Sequence, residues 1–182
     1  WDGFYKTIND LSRYYMPPSQ FAAFCCAELQ NKNINQVVEI AAGDGRDTIF
    51  FGERGFVVAA SEKSAEAVQL LEHRVKGTPN VSVTRNDAVE DKIKAPSSEN
   101  SICAFYARFF IHVLSKSEVK RFFSNLKNSM KSGDLFMVEY RNEKDADLEK
   151  VTPEHFREFY SSKFIASLAN KNGMDCIYEV EG

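Results

Sequence analysis

The sequence lacks the features that mark membrane, nucleic-acid-binding and disordered proteins. Its most apolar stretch, residues 101–114, contains Arg108 and His112 and is shorter than the roughly 18 residues that a membrane-spanning helix needs. Lys and Arg number 23 against 26 Asp and Glu, and no basic run is long enough to mark a nucleic-acid-binding surface. With 15 Phe but only 9 Gly and 5 Pro, the composition excludes a disordered or collagen-like chain. We therefore expect a globular protein with no membrane span and no nucleic-acid partner.

The four cysteines do not form a metal-binding or disulfide pattern. They include no C-x-x-C pair and have no His-rich partner segment, so we expect neither a metal site nor a disulfide framework. The adjacent Cys25 and Cys26 are typical of a helix face in a reducing compartment. From this cysteine usage we expect a cytoplasmic protein.

Short apolar segments alternate along the chain with segments of helical periodicity. The predicted strands are residues 36–41, 56–60, 80–85, 101–107, 135–139 and 174–180. The predicted helices are residues 46–54, 64–76, 115–131 and 152–172, after a first 30 residues that are also helical in pattern. This alternation is typical of α/β proteins, and it predicts a doubly wound, mainly parallel sheet with helices on both faces.

The predicted elements form one domain. A length of 182 residues suits a single domain with a substantial hydrophobic core. Residues 1–35 are expected to form a helical cap, and residues 36–182 the ligand-binding core. Because the chain begins at Trp1 and stops within its last predicted strand, we expect it to be one piece of a longer protein.

Glycines and acidic residues follow the first three predicted strands, where open α/β sheets bind ligands. The first strand leads into the segment EIAAGDGRD, residues 39–47, whose glycines allow a tight turn and a close approach of backbone to ligand. Glu62 follows the second strand, where a carboxylate can accept hydrogen bonds from both ribose hydroxyls. Asp87 follows the third strand, where a carboxylate can accept a bond from an adenine amino group. Each feature alone fits a turn or a solvated helix start, but the three in register favour a nucleoside ligand.

These motifs resemble those of class I S-adenosylmethionine-dependent methyltransferases. VVEIAAGDGRD resembles the first motif of that family, VAASEKSAEAV the second, NDA the adenine motif, and LKNSMKSGDLFMVE the turn into the fifth strand. The resemblance covers about residues 36–139. It implies a Rossmann-like methyltransferase fold, with S-adenosylmethionine as cofactor and S-adenosylhomocysteine as product. The residues it places at the cofactor are Glu39, Ala41, Gly43, Gly45, Arg46, Asp47, Glu62, Lys63, Asp87, Ala88 and Tyr106.

The sequence departs from the family pattern at two places. Ala41 stands where the first motif usually has Gly, which adds a methyl group near the ligand. Only one predicted strand follows Gly173, so the family's final antiparallel hairpin is expected to be truncated. A nicotinamide-dinucleotide domain is the competing interpretation. It requires G-x-G-x-x-G, however, and Thr48 stands where the third glycine belongs.

Residues after the fourth and fifth strands are candidates for catalysis. His112 resembles in its placement the base histidine of plant phenolic O-methyltransferases, and it is the predicted general base for a hydroxyl acceptor. Packing under the following helix is the alternative role. Arg108 is expected either to bind an acidic or phosphorylated substrate or to pair with Glu139. Further residues expected to contact substrate or cofactor, by resemblance or position, are Tyr5, Arg13, Tyr14, Tyr140 and Arg141.

The acceptor is suggested only by a further resemblance. WDGFYK, YMPPSQFAAF, YARFFIHVL and EYRNEKDAD are similar to methyltransferase domains found with bacterial surface-polysaccharide enzymes. This implies O-methylation of a saccharide or surface-glycan precursor, and fusion to other glycan-biosynthesis domains. A free small metabolite is the alternative acceptor. An alternative of another class is a non-catalytic scaffolding module that keeps the cofactor fold.

Overall fold

The computed structural model describes residues 2–7, 17–96, 101–147 and 155–181. Its helices and strands, in chain order, are α1 (Asp2–Thr7), α2 (Gln20–Asn31), β1 (Gln36–Ile40), α3 (Arg46–Glu53), β2 (Val57–Glu62), α4 (Ala65–Arg74), β3 (Val81–Arg85), β4 (Cys103–Arg108), α5 (Lys116–Ser129), β5 (Leu135–Glu139) and α6 (Ser162–Lys171). Short 3-10 helices cover Ile111–Val113 and Glu143–Asp145.

The five strands form one parallel sheet in the order β3-β2-β1-β4-β5. The chain runs outward from β1 to β3, then returns to place β4 on the other side of β1. All five residues of β1 are buried, as expected for a central parallel strand. The predicted doubly wound fold and its N-terminal helix are thus confirmed. Strand order reverses between β1 and β4, which is where such sheets bind ligands beyond their carboxyl ends.

Apolar layers cover both faces of the sheet. Successive residues of β4 point to opposite faces, so Phe105 packs with α5 and α6 while Tyr106 packs with α2 and α3. Both side chains are fully buried. Cys25 and Cys26 lie buried on α2, as the sequence predicts for a helix face. None of the helices in the described part of the chain has the length and apolar character that a membrane crossing requires.

Serine side chains fix the starts of the four main helices that lack a glycine turn. The hydroxyls of Ser19, Ser64, Ser115 and Ser161 each accept a backbone N–H from the first turn of α2, α4, α5 and α6. At α5 the Glu118 carboxylate also accepts the Ser115 N–H, which completes a capping box. Because α2 and α4 begin beside the carboxyl ends of the strands, Ser19 and Ser64 are brought to the edge where ligands bind.

The predicted helix over residues 152–172 is wrong in its first part. Helix α6 begins at Ser162, and residues 155–161 are not helical. In this segment the Tyr160 hydroxyl donates to the Leu114 carbonyl at 2.8 Å, and the Glu158 N–H donates to the His112 carbonyl at 2.9 Å. These bonds tie the segment to the loop after β4. The predicted helix start at residues 152–154 lies outside the described residues.

The predicted strand at residues 174–180 is also wrong. This segment has no strand structure, and Ile177, Tyr178 and Val180 are exposed. A strand is stabilised by a neighbour that completes its ladder of hydrogen bonds. Within the described residues, the segment pairs with no strand of the sheet. Its apolar alternation therefore does not produce a strand here.

Candidate functional site

A cavity of about 440 Å³ opens at the carboxyl ends of β1 and β4. Its volume lies within the range of small-molecule sites. The walls come from α1, the turn after β1, α4 and the end of β4. The lining residues are Tyr5, Glu39, Ile40, Ala41, Ala42, Gly43, Asp44, Arg46, Asp47, Arg74, Tyr106, Arg108 and Phe109. Eight of these were predicted from the sequence as cofactor or substrate residues: Tyr5, Glu39, Ala41, Gly43, Arg46, Asp47, Tyr106 and Arg108.

The turn after β1 depends on left-handed backbone conformations. Ala41, Gly43 and Gly45 have φ angles of 56°, 58° and 84°, which L side chains rarely adopt. The two glycines are also needed for space: a Cβ on Gly43 would lie 2.8 Å from the Tyr5 hydroxyl, and one on Gly45 would clash with Leu71. Ala41, where the family pattern has Gly, holds the same conformation at a steric cost. The turn thus brings its backbone close to whatever fills the cavity.

Glu62, the last residue of β2, holds this turn from the side. Its buried carboxylate accepts the N–H of Gly43 at 3.1 Å and that of Ser64 at 2.9 Å. The Ser64 hydroxyl in turn donates to Asp2 at 2.5 Å, which fixes α1 against the start of α4. Burial, with the nearby charge of Glu62, raises the pKa of Tyr5, so its hydroxyl stays protonated beside Gly43. Helix α1 therefore covers the position that the sequence assigns to the ribose.

Asp87 and Lys63 form an ion pair of 2.7 Å at the ends of β2 and β3. Burial disfavours ionisation of Asp87, but the hydrogen bonds from Lys63 and the Val89 N–H outweigh it and lower the pKa of Asp87. Ala88 is buried beside them. The structure thus brings the predicted adenine residues next to Glu62, one strand away. They lie beside the cavity rather than in its lining.

A buried polar network joins the helical cap to the cavity floor. The Asp47 carboxylate accepts the Ser19 N–H at 2.9 Å, the Ser19 hydroxyl at 2.8 Å and the Tyr106 hydroxyl at 2.8 Å. Burial opposes ionisation of Asp47, yet these bonds lower the pKa of the carboxyl. Burial and the Asp47 charge raise the pKa of Tyr106, so the phenol remains a donor. Sequence reasoning identified Asp47 and Tyr106 but missed Ser19, which it placed only at a helix start.

Glu39 is a buried acid in the wall of the cavity. Its Oε2 accepts the Thr48 hydroxyl at 2.6 Å. Burial raises the pKa of Glu39 to about 8, against the opposing effect of that hydrogen bond. The carboxyl is therefore largely protonated at neutral pH when the cavity holds no cation.

Two arginines brace the turn after β1. The Arg46 Nε lies 3.2 Å from Asp47, as part of the predicted motif. Arg74, on α4, donates to both the carbonyl and the carboxylate of Asp44 at 3.0 and 2.5 Å. No local sequence pattern marks Arg74 as a site residue, apart from its position near the end of a helix.

His112 lies buried in the 3-10 helix after β4. Its Nδ1 accepts the Arg141 N–H at 3.2 Å, which assigns the ring proton to Nε2. Burial, with the charges of Arg157 and Arg141, lowers the pKa of His112 to about 4. A general base needs an uncommitted lone pair and a pKa near the working pH. These contacts favour the packing alternative, and the base role stays a prediction.

The predicted pairing of Arg108 with Glu139 is confirmed by an ion pair of 2.5 Å. Tyr140 packs against the apolar layer of α5 and α6, where burial raises its pKa to about 12. Arg141 pairs with Asp145 at 3.5 Å. The substrate roles of Tyr140 and Arg141 stay predictions, and Arg13 and Tyr14 lie outside the described residues.

Within the described ranges, no group of three His, Cys, Asp or Glu is placed to hold a metal ion.

The solved structures most useful for comparison are methyltransferases. The magnesium protoporphyrin IX methyltransferase of Synechocystis PCC 6803, solved with S-adenosylhomocysteine, has a TM-score of 0.67 and 13% identity over 86% of this chain and 73% of its own. A SAM-dependent methyltransferase of Aquifex aeolicus has a TM-score of 0.63 and 19% identity over 95% and 88%. Phosphoethanolamine N-methyltransferase 1 of Haemonchus contortus has a TM-score of 0.61 and 18% identity over 91% and 39%. At these identities the likeness shows the fold.

The family follows from the sequence itself. Among curated proteins, none matches the chain with significance. The family model described as "Methyltransferase domain" matches residues 37–133, just over half of the chain. The match runs from β1 to the turn before β5 and so includes the strand ends that carry Glu39, Glu62 and Asp87. The chain therefore belongs to the methyltransferase-domain family, as a methyltransferase of the S-adenosylmethionine-dependent class.

Proposed function

We propose that the chain transfers a methyl group from S-adenosylmethionine to a hydroxyl of a saccharide or surface-glycan precursor. The observation that carries the cofactor assignment is the placement of Glu39, Glu62 and Asp87 at or just beyond the carboxyl ends of three adjacent strands, with Glu39 in the cavity lining. The acceptor is supported by the similarity of WDGFYK and YARFFIHVL to domains found with polysaccharide enzymes. From that similarity we also propose fusion to other glycan-biosynthesis domains, and from the cysteine usage a cytoplasmic site of action.

The residues present fit the cofactor. The Glu62 carboxylate accepts the Gly43 N–H through Oε2 and the Ser64 N–H through Oε1, and its remaining lone pairs would accept the ribose hydroxyls. Asp87 and the backbone of Ala88 would hold the adenine. Gly43 has no side chain on the side that faces the Tyr5 hydroxyl. If α1 moves, the cofactor could therefore approach the Gly43 backbone closely from that side. S-adenosylmethionine supplies, when bound, a methyl group activated by a sulfonium.

The other cavity residues would position the reactants and exclude water. Helix α1 covers the turn through Tyr5, and closure over a bound cofactor would keep solvent out. The Asp47–Ser19–Tyr106 network holds the floor rigid. In-line methyl transfer depends mainly on such positioning. His112 would position Arg141 by accepting its backbone N–H. The general-base role that the resemblance implies for His112 is tested separately.

Thermal unfolding with and without S-adenosylhomocysteine tests the proposal. At about 100 times the dissociation constant, binding adds about 2.7 kcal/mol of stability. For a domain of this size the midpoint should rise by about 5–10 °C. A nicotinamide dinucleotide, as the matched control, should give no rise. A cooperatively folded sample that shows no shift with S-adenosylhomocysteine would favour the scaffolding alternative.

With the chain saturated by S-adenosylmethionine, acceptors can then be compared. Radiolabelled methyl transfer to sugars, sugar phosphates and unrelated small metabolites measures the acceptor class directly. Transfer to a sugar hydroxyl supports the proposal. Transfer only to a non-saccharide metabolite would replace the acceptor while leaving the enzyme class intact.

A further inference from the structure

Phe109, directly after β4, has a backbone conformation that bulky residues avoid. Its φ is 54°, in the left-handed region. The conformation is held because the Phe109 N–H donates to the carbonyl of Glu139, the last residue of β5, at 2.8 Å. Such strain persists where surrounding contacts enforce it, and it concentrates at ligand sites. Here it places the ring in the wall of the cavity.

Two guanidinium groups lie over the Phe109 ring. The Arg108 guanidinium carbon is 3.9 Å from the ring centroid, and that of Arg141 is 5.5 Å away. Stacking of this kind orients a guanidinium while leaving its N–H edge for hydrogen bonds. The ion pair of Arg108 with Glu139 uses Nε, and a guanidinium has four further N–H donors.

Arg141 is anchored at its backbone, and its side chain is held by only weak contacts. The His112 ring anchors its N–H at 3.2 Å. Its guanidinium is partly exposed, and the ion pair with Asp145 is long, at 3.5 Å. The side chain is thus held near Phe109 and retains donors for a ligand.

Three arginines, Arg108, Arg141 and Arg157, lie with two carboxylates, Glu139 and Asp145, in and around this cluster, which leaves one more positive charge than negative. Arg157 and Arg141 both disfavour a proton on His112, and Asp145 is the charge that opposes them. A site of this charge attracts an anion and disfavours a cation. Arginine matches the paired oxygens of carboxylates and phosphates better than lysine does.

We propose that Arg108 and Arg141, stacked on Phe109, bind an anionic group of the methyl acceptor. The acceptor is then a carboxylate- or phosphate-bearing saccharide rather than a neutral one. This inference rests on the proposed function, because Arg108 and Phe109 line the same cavity and Arg141 adjoins it through the Phe109 ring.

The test uses the chain saturated with S-adenosylhomocysteine and isothermal titration of three sugars. Glucuronate carries a carboxylate, glucose 6-phosphate carries a phosphate, and glucose carries neither. One or both anionic probes should bind about tenfold or more tightly than glucose, as expected for a charge-assisted hydrogen bond. The preference should weaken as salt is added. The stronger of the two anionic probes identifies the carboxylate or the phosphate as the recognised group.

Variants separate the site from a general charge effect. Arg141→Gln should remove the preference for the anion, and Arg141→Lys should restore it in part. Arg54→Gln is the matched control, because Arg54 also stacks on a phenylalanine ring, that of Phe50 at 5.1 Å, outside the cavity lining. It should leave the preference unchanged.

Several results would overturn the inference. Equal binding of all three sugars, no binding of either anion at millimolar concentration, or an equal loss in Arg54→Gln would each do so. Stabilisation by S-adenosylhomocysteine is measured beforehand. If S-adenosylhomocysteine does not stabilise the chain, the proposed function is refuted. If it stabilises the chain but the anionic sugars bind no more tightly than glucose, only this inference is refuted.

Discussion

The Glu62 carboxylate accepts the Gly43 N–H at 3.1 Å, which joins the end of β2 to the turn after β1. Glu62, which we assign to cofactor binding, therefore also stabilises the glycine turn that would approach the cofactor. Loss of this carboxylate should act on both functions, and the two effects are measurable separately.

Glu62→Gln should weaken binding of S-adenosylhomocysteine by about 1–3 kcal/mol, since an amide replaces one charged acceptor. Isothermal titration measures the affinity, and urea unfolding measures the cost to the turn. Glu53→Gln, at an exposed position at the end of α3, is the control. A folded Glu62→Gln protein with unchanged affinity would remove Glu62 from the cofactor site.

The stability of the unliganded protein should fall as the pH rises from about 6.5 to 8, above the range in which the lowered pKa of His112 contributes an opposite slope. Burial raises the pKa of Glu39 to about 8 from an ordinary value of 4.5, so the folded state binds more protons than the unfolded state in that range. The slope from this group approaches about 1.4 kcal/mol per pH unit. Urea unfolding across the range measures it, and Glu39→Gln should flatten it. An equal slope in the variant would assign the effect to other groups.

S-adenosylmethionine, a cation at its sulfonium and ammonium groups, should shift Glu39 towards its ionised form. Binding should then release a proton, and affinity should increase between pH 6 and 8. Titration in buffers of different ionisation enthalpy measures the proton release. A binding reaction without proton exchange in this range would contradict the assignment.

Gly45→Ala should destabilise the chain more than Gly55→Ala does. Both glycines have nearly equal φ angles, 84° and 86°. A Cβ on Gly45 meets Leu71, whereas one on Gly55 meets nothing within 4 Å. The backbone penalty of about 1 kcal/mol or more is therefore shared, and the clash adds about 1–3 kcal/mol at Gly45 alone. Equal unfolding free energies for the two variants would show that α4 yields without cost.

His112→Gln should keep turnover within about tenfold of the wild type. We expect this because Nδ1 accepts the Arg141 N–H and the pKa of His112 is about 4, which leaves a weak base. Turnover should show no inflection near pH 6.5. A loss of about 100-fold with unchanged cofactor affinity would instead establish His112 as the general base.

The strands were predictable because their signals are local. β1 and β4 are short apolar segments with a glycine turn or a polar residue at their ends, and parallel strands bring those ends together. This is why the Arg108–Glu139 pair could be expected from two strand ends far apart in sequence.

The missed features depend on contacts between distant segments. Ser19 reaches Asp47 across 28 residues, and Arg74 reaches Asp44 across 30. Neither pair leaves a pattern in its own neighbourhood. The start of α6 was misplaced for the same reason, since the bond from Tyr160 to Leu114 spans 46 residues and competes with helix formation.

The central position of β1 has a consequence for synthesis on the ribosome. One edge of β1 pairs with β2, and only helix α3 separates these two strands along the chain. The other edge stays unpaired until β4, which begins at Cys103, has been synthesised. Until then the nascent chain exposes an apolar strand edge, a template for pairing with other chains. In that state the cavity lacks the wall that the end of β4 supplies. The edge of β1 that β4 will cover therefore stays unpaired until more than half of the chain has been synthesised.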